Sequence, residues 1–475
     1  MTARRFPAEK AATLVPIAIG EILRLAARER AGGALTEARA LLAAALAADP
    51  DSAAARQEMA LVAFEQGSLA EAEALSREAL AACPDQAQWW RNRCAIAERG
   101  GDYPGALDAA RRAVALDPRP ADHWYALAMV EYRMRETAGA IAHAREALAR
   151  EGGHAGAHVL LGETLLLGGD FAAGWEEYAW RFRLPGAPPV APAMGCPAWD
   201  GAPLPGGLLL LVADQGYGDA IQFARYIPWA AGRCGAVSLL VAPELAPLLA
   251  PLVPGGDVRT GWDQVAGASA GLAAWAPLSE LPRLAGTRAD NIPTTGAYLA
   301  AAPGAVAAWR ARLDAITPRP ARRVGLVWAG RPTHPNDASR SAPPESLVAL
   351  AHVSGVSLIG LQHGPAAAGW AALGPPEAAL GAAIADFPAA AAAIASVDLL
   401  IAVDSAPAHL AGALGRPVWL MLPYGPDWRW GEGRGDSPWY PAMRLFRPDR
   451  PRDWRGLAAS VAAALRDSVE RGEIG

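Results

Sequence analysis

The chain has 475 residues, 52% of them hydrophobic, and a formal net charge of −5. That length suggests two to four domains, with ample apolar material for their cores. The charge excludes an overall basic field for nucleic acid, and no run of about 20 uninterrupted apolar residues offers an integral membrane segment. Lysine occurs only at Lys10, so arginine carries nearly all the positive charge. Arginine suits planar, bidentate recognition of phosphate and carboxylate, and the Ala-, Gly- and Pro-rich composition points to a GC-rich bacterial genome. The four cysteines, Cys83, Cys94, Cys196 and Cys234, form no CxxC pair and have no histidine cluster beside them. Incidental thiols are expected rather than a zinc site or a disulfide framework. The first 18 residues read as an extension, not a signal peptide. The apolar stretch of MTARRFPAEKAATLVPIAIGEIL holds Pro16 and ends at Glu21, without a clear cleavage site. A soluble cytoplasmic protein is expected.

Residues 19–185 repeat. Pro50, Pro84 and Pro118 are 34 apart, and Gly152 takes the next slot. Ala38, Ala72, Ala106 and Ala140 keep that spacing, followed by Gly174, and so do Ala45, Ala79, Ala113 and Ala147. Gly33, Gly67, Gly101 and Gly169 mark a turn, with Arg135 the exception, and Trp90 and Trp124 hold equivalent positions. Each unit reads as helix, turn, helix. Small alanines let paired helices approach, the glycine relieves the turn, and the proline ends the second helix. One unit cannot bury its apolar face alone, so neighbours must stack. This period and residue set resemble the tetratricopeptide repeat, and five units fit. Such repeats usually bind a peptide or protein segment on a concave face; a scaffold or dimerisation surface is the alternative. The DPD at 49–51 mimics a metal-binding DxD but sits at a repeat boundary, and no metal site is expected there or elsewhere.

Residues 186–203, rich in Pro, Gly and Ala, read as a linker draped over the next domain. Beyond it the period changes. Apolar runs at 206–214, 237–243, 323–330, 356–362, 397–404 and 416–423 alternate with helical stretches, which indicates parallel α/β sheets. Residues 204–310 make one Rossmann-like half and 320–450 another, with 306–322 as the hinge and 451–475 as a C-terminal helix.

Four motifs sit at strand ends. In DQGYGDAIQFARYIP (214–228) a strand runs into a helix near Asp219. There Asp219 can cap the helix, or can act as general base toward an acceptor hydroxyl, with Gln215, Gly216, Gly218 and Gln222 on the acceptor side. In DSAPAHLAGALGRPV (404–418), Asp404 and Ser405 end a strand where open α/β sheets bind ligands. Ser405 and the first helical amides can hold a diphosphate, and His409 can donate to the leaving phosphate; a capped helix with a buried histidine is the alternative. In WAGRPTHPNDASRS (328–341), Arg331, Asn336 and Arg340 can neutralise phosphate, or belong to a solvated loop. Gln362 can read a base edge or cap its strand. The three tryptophans of PYGPDWRWGEGRGDSPWYPAMRLFR (423–447) can stack on a sugar or base, or pack across the hinge.

Together with VGLVWAG, LIGLQHG, VDLLIAVD and GWEEYAWRFR (174–183), these motifs resemble bacterial proteins that join tetratricopeptide repeats to a heptosyltransferase-like glycosyltransferase domain. The resemblance implies a GT-B fold of two Rossmann-like halves, the donor in the second and the acceptor in the first. It implies metal-independent, inverting transfer from a nucleotide-sugar substrate, with no cofactor. Asp219 falls on the catalytic base, and Asp404, Ser405 and His409 on the motif lining the donor phosphates. A lysine often assists there in that family; this domain has none, so Arg331 or Arg340 must substitute. The arrangement is also similar to the O-GlcNAc transferases, whose repeats deliver protein acceptors. Some bacterial relatives are thought to modify flagellin, so a protein acceptor is implied. A glycolipid or polysaccharide acceptor, or a scaffold with an idle domain, are the competing readings.

Overall fold

The computed structural model describes residues 19–187, 195–266, 271–293, 296–317, 320–334 and 336–473. The N-terminal extension expected over 1–18, and 188–194 of the linker, lie outside them. The chain divides into two compact units, Met1–Ala157 and His158–Gly475.

Among the described residues the N-terminal unit is helical. Ile19–Ala31 pairs with Leu35–Ala48, Ala53–Glu65 with Leu69–Ala82, Ala87–Gly100 with Tyr103–Leu116, and Ala121–Arg133 with Thr137–Arg150. The repeating alanines are the contact points: Ala38, Ala72, Ala106 and Ala140 are fully buried, as are Ala45, Ala79, Ala113 and Ala147. A larger side chain there would hold the helices apart. The turn glycines adopt left-handed backbone, with φ of 79° at Gly33, 80° at Gly67 and 82° at Gly101. Arg135 takes the same conformation, φ 65°, so the repeat geometry overrides the steric preference of a side chain. Trp90 and Trp124 do the same work in successive repeats. Each indole N–H donates to the carbonyl of the boundary proline six residues earlier, Pro84 at 2.7 Å and Pro118 at 2.8 Å.

A further helix pair, Ala155–Leu167 and Phe171–Tyr178, continues the pattern. From His158 on it belongs to the second compact unit. The two helices come very close: a Cβ on Gly162 would lie 2.4 Å from the Tyr178 nitrogen, and one on Gly174 2.7 Å from Leu166 Cγ.

The rest of this unit carries two parallel sheets. The first has β1 (Leu204–Val212), β2 (Cys234–Leu240), β3 (Val258–Arg259) and β4 (Leu272–Pro277) in the order β3-β2-β1-β4. The second has β5 (Arg322–Val327), β6 (Val356–Gly360), β7 (Leu399–Val403), β8 (Val418–Met421) and β9 (Met443–Phe446) in the order β6-β5-β7-β8-β9. β5 and β7 are buried along most of their length and β1 over its C-terminal half, which is why they read as continuous apolar runs. Leu326 pairs with Ile401 and Ala402 with Leu420 in register. The C-terminal helix Trp454–Glu470 lays Leu457, Val461 and Leu465 onto the second sheet's core with Val324 and Leu326. The described end of the linker is pinned to the first sheet: Trp199 N–H donates to the Trp275 carbonyl at 2.7 Å, and Trp275 N–H to the Pro197 carbonyl at 3.1 Å.

In each sheet the strand order reverses beside the central strand, between β1 and β4 and between β5 and β7. Such switch points leave a crevice outside the carboxyl ends of the strands, where ligands bind in open α/β sheets.

Candidate active site

The first switch point is built from the corner after β1 and the end of β4. Asp214 spans it, accepting the Ser279 backbone N–H at 3.1 Å and the Ser279 hydroxyl at 2.5 Å. Burial pushes the Asp214 carboxyl above its ordinary range, with Ser279 and Arg181 pulling the other way. Arg181 comes from the end of the helical repeats and is nearly buried. It donates to Ser279 Oγ at 2.6 Å, Glu280 Oε1 at 2.7 Å and the Tyr178 carbonyl at 2.9 Å. The last repeat is thus bonded into the strand ends of the first sheet.

The chain then turns into the helix Tyr217–Phe223. Asp219, its third residue, reaches back to accept the Gly216 N–H through Oδ2 at 3.2 Å. The cap expected of this carboxylate is therefore present. Its other oxygen accepts from Arg429 Nη2 at 2.6 Å. Gln215, in the amide orientation that satisfies both its ends, donates to Asp219 Oδ1 at 3.2 Å and accepts from Arg181 Nε at 3.3 Å. Gln222 lies inside the helix rather than in the corner loop. It is fully buried, and neither amide atom has a hydrogen-bond partner among the described residues. Its helical phase turns it into the packed interior.

The second switch point holds the 404–409 motif. Asp404 and Ser405 follow β7 and lead into the helix Ala406–Ala413. Ser405 Oγ donates back to the Val403 carbonyl at 3.0 Å, so the helix N-terminus carries no side-chain cap. Asp404 Oδ2 accepts the Trp430 indole N–H at 2.9 Å. His409 is 2% exposed, with Nδ1 2.9 Å from the Tyr440 hydroxyl and Nε2 3.8 Å from Asp404 Oδ1. Burial, reinforced by Arg429, Arg225 and Arg340, drives its pKa far below the usual histidine value. The ring is therefore neutral and able to donate only one hydrogen bond.

The loop after β5 folds back on itself. Gly330 N–H donates to Ser341 Oγ at 3.0 Å, and Ala342 N–H to the Trp328 carbonyl at 2.8 Å. Arg340 lies over Gly330: a Cβ there would meet its Nη2 at 2.8 Å. Arg331 and Asn336 are exposed, and Arg331 donates to Thr333 Oγ1 at 2.5 Å. Gln362 takes the strand-capping alternative. Its Oε1 accepts from Trp328 N–H at 3.0 Å and Ala329 N–H at 2.9 Å, and its Nε2 donates to the His363 carbonyl at 3.0 Å. That leaves its amide no free edge for a base.

The two switch points face each other. A Cβ on Gly218 would lie 2.9 Å from His409 Cδ2 and 3.7 Å from Ala406 Cα, so the two helix starts meet where a side chain would not fit. Aromatic packing ties the second half to the first and to the helix Phe171–Tyr178. Trp428, Trp430 and Trp439 are buried, and Trp428 contacts Trp175 and Tyr178, at ring-centre distances of 5.2 and 5.8 Å. Trp439 approaches Phe223 at 6.4 Å. Of the two roles open to these tryptophans, packing is the one the structure uses. Arg225 joins in, donating to the Trp439 carbonyl at 2.8 Å with its guanidinium 4.8 Å from the Tyr440 ring centre. Arg181, Arg225 and Arg429 lie within the stretches singled out in the sequence, but nothing local marks their partners; Arg429 pairs with a residue 210 positions away. Among the described residues no group of three His, Cys, Asp or Glu side chains is placed to hold a metal ion.

Comparison with known proteins agrees with this anatomy. Tetratricopeptide repeat models match residues 30–93, 96–150 and 125–186. The glycosyltransferase family 9 (heptosyltransferase) model matches residues 380–424, which take in Asp404, Ser405 and His409. Protein FlbA of Caulobacter vibrioides is 32% identical over 338 residues, 64% of this chain and 54% of that protein. The chain thus spans about half the length of the curated relative it matches. Similar solved structures include PilF of Pseudomonas aeruginosa, 20% identical, covering 34% of this chain and 75% of that one at a TM-score of 0.32. MamA from Desulfovibrio magneticus RS-1 is 18% identical, with 34% and 94% covered and a TM-score of 0.31. The chain thus carries tetratricopeptide repeats in its N-terminal part and, in its C-terminal part, a segment that matches the heptosyltransferase family of glycosyltransferases.

Proposed function

We propose that the protein transfers a sugar from a nucleotide-sugar donor to a hydroxyl on a protein acceptor recruited by the repeats in the bacterial cytoplasm. The observation that carries this reading is the meeting of the two switch points, with Asp219 on one side and the 404–409 corner on the other. The acceptor hydroxyl attacks the anomeric carbon from the Asp219 side, and its proton passes to the carboxylate. The bond from that carbon to the phosphate oxygen breaks on the opposite face, so the configuration inverts. The nucleotide leaves with the electron pair. Its charge is met by the uncapped helix start at Ala406 and by arginine, without a metal ion. Arg331, Arg340 and Asn336 line the donor side, and Gln215, Gly216 and Gly218 the acceptor side.

Flagellin is the acceptor to test first. Flagellin co-expressed with the wild type should gain the mass of one or more sugar residues. With Asp219→Asn, the transfer rate should drop by about 10²- to 10⁴-fold. Wild-type transfer by that variant would remove Asp219 as the base, and an unmodified flagellin would remove it as the acceptor.

A further inference from the structure

The donor side lacks the lysine expected there, and of the arginines of the 328–341 loop Arg331 is exposed, while Arg340 is half-buried and lies over Gly330. A different guanidinium occupies the middle. Arg429, in the loop after β8, is 8% exposed. It donates through Nη2 to Asp219 at 2.6 Å and pairs through Nη1 with Asp427 at 3.3 Å. Its buried Nε has no hydrogen-bond partner among the described residues. The next residue, Trp430, holds Asp404 of the phosphate-side corner. One short loop thus grips the key carboxylate of each half. Burial works against the guanidinium's charge, but Asp427, Asp219 and Asp404 outweigh it and hold Arg429 above its ordinary value.

This arrangement conflicts with Asp219 acting as a base. One of its oxygens accepts from Arg429 and the other from the Gly216 N–H. With Gln215 also donating to Oδ1, that oxygen is filled and Oδ2 keeps one lone pair beside the Gly216 N–H, so the carboxylate is committed first to a cation rather than to an acceptor hydroxyl. The conflict resolves if the guanidinium has a better partner when substrate is present. A diphosphate at the Ala406 helix start brings more charge and more acceptor oxygens than one carboxylate, and arginine matches it as a fork.

The geometry points to Arg429 as an exchangeable cation that holds Asp219 in the empty site and transfers to the donor diphosphate, freeing the base only once donor is bound. This rests on the glycosyltransferase reading above and adds an order of events to it: donor first, then a competent acceptor site. The base is not available before the leaving group is in place.

The test is a double-mutant cycle on nucleotide affinity. UDP, GDP and ADP are titrated calorimetrically into the wild type, Asp219→Asn, Arg429→Gln and the double variant. Asp219→Asn removes the competitor for the guanidinium and should tighten diphosphate binding by about tenfold, the range of one charge-assisted hydrogen bond. Arg429→Gln should weaken it by about tenfold or more. The double variant should bind like Arg429→Gln, because the carboxylate competes only through that arginine. Equal tightening by Asp219→Asn in both backgrounds would mean simple removal of a repelling charge and would overturn the exchange. So would wild-type affinity in Arg429→Gln. Arg429→Lys keeps the charge without the fork and should recover part of the affinity, which covers the case in which Arg429→Gln folds poorly. Absence of binding to both wild type and Asp219→Asn at millimolar nucleotide would remove the donor site itself, and this inference with it.

Discussion

Replacing Gly218 with alanine would set a methyl group 2.9 Å from His409 Cδ2 and 3.7 Å from Ala406 Cα. Carbon atoms rest at about 3.5–4.0 Å, so one side must yield by roughly half an ångström or more. The histidine has little freedom to do so. It is buried, its Nδ1 is 2.9 Å from the Tyr440 hydroxyl, and its ring lies 5.3 Å from that of Trp430. Overpacking of this kind costs about 1–3 kcal/mol. Alanine in place of a helical glycine returns up to about 1 kcal/mol. The net expectation is a loss of about 1–2 kcal/mol from the C-terminal unit. Urea unfolding of the full chain, followed by tryptophan fluorescence with the transitions of the two units fitted separately, measures it. Gly304→Ala is the control, since nothing lies within 4 Å of a Cβ there. In the His409→Ala background the ring is gone and the methyl has room, so Gly218→Ala should become neutral or stabilising. A coupling energy of about 1 kcal/mol or more is expected. Additivity within about 0.5 kcal/mol would show that the two residues do not meet and would refute the close approach of the two helix starts.

Two further outcomes concern His409 and the repeats. His409 stays neutral in the folded state while the unfolded chain titrates near its ordinary value, so protons bind preferentially to the unfolded form below that value. Stability of the C-terminal unit should therefore be fully present above about pH 6.5 and fall by about 1.4 kcal/mol per pH unit below it; His409→Gln should lack that part of the slope in urea midpoints measured between pH 7 and 5. In the repeats, Ala106 is fully buried where two helices touch. Ala106→Leu should cost about 1–3 kcal/mol, seen as a lower midpoint for the N-terminal unit alone.

The repeats were legible because one contact recurs: the same alanine must fit the same gap every 34 residues, and even Arg135 could be recognised as the turn that lacks its glycine. The strands that could be read were β1, β2, β5, β7 and β8, and β6 at a sheet edge, because each is an apolar run. The edge strand β3, two residues long, and β9, with Arg444 exposed in its middle, leave no such run. At the site, Asp219 and the 404–409 corner were visible because strand ends and helix starts have local signatures. Arg429 was not, because its meaning lies in a carboxylate from the other half of the domain. Gln362 and Gln222 show the converse. Their type and position suited ligand contact, but backbone bonding claims the first and helical phase buries the second. The tryptophans of 428–439 gave equal support to stacking on a ligand and to packing, and only the three-dimensional contacts with Trp175, Tyr178 and Phe223 decide for packing.

The most direct test of a nucleotide-sugar site at the meeting of the two sheets is calorimetric titration of the wild type with UDP, GDP, ADP and CMP, without and with magnesium. Selective binding of one nucleotide, unchanged by the metal, is the predicted result. Absence of binding by all four at millimolar concentration would contradict the account, and the C-terminal domain would then have to be understood without a donor.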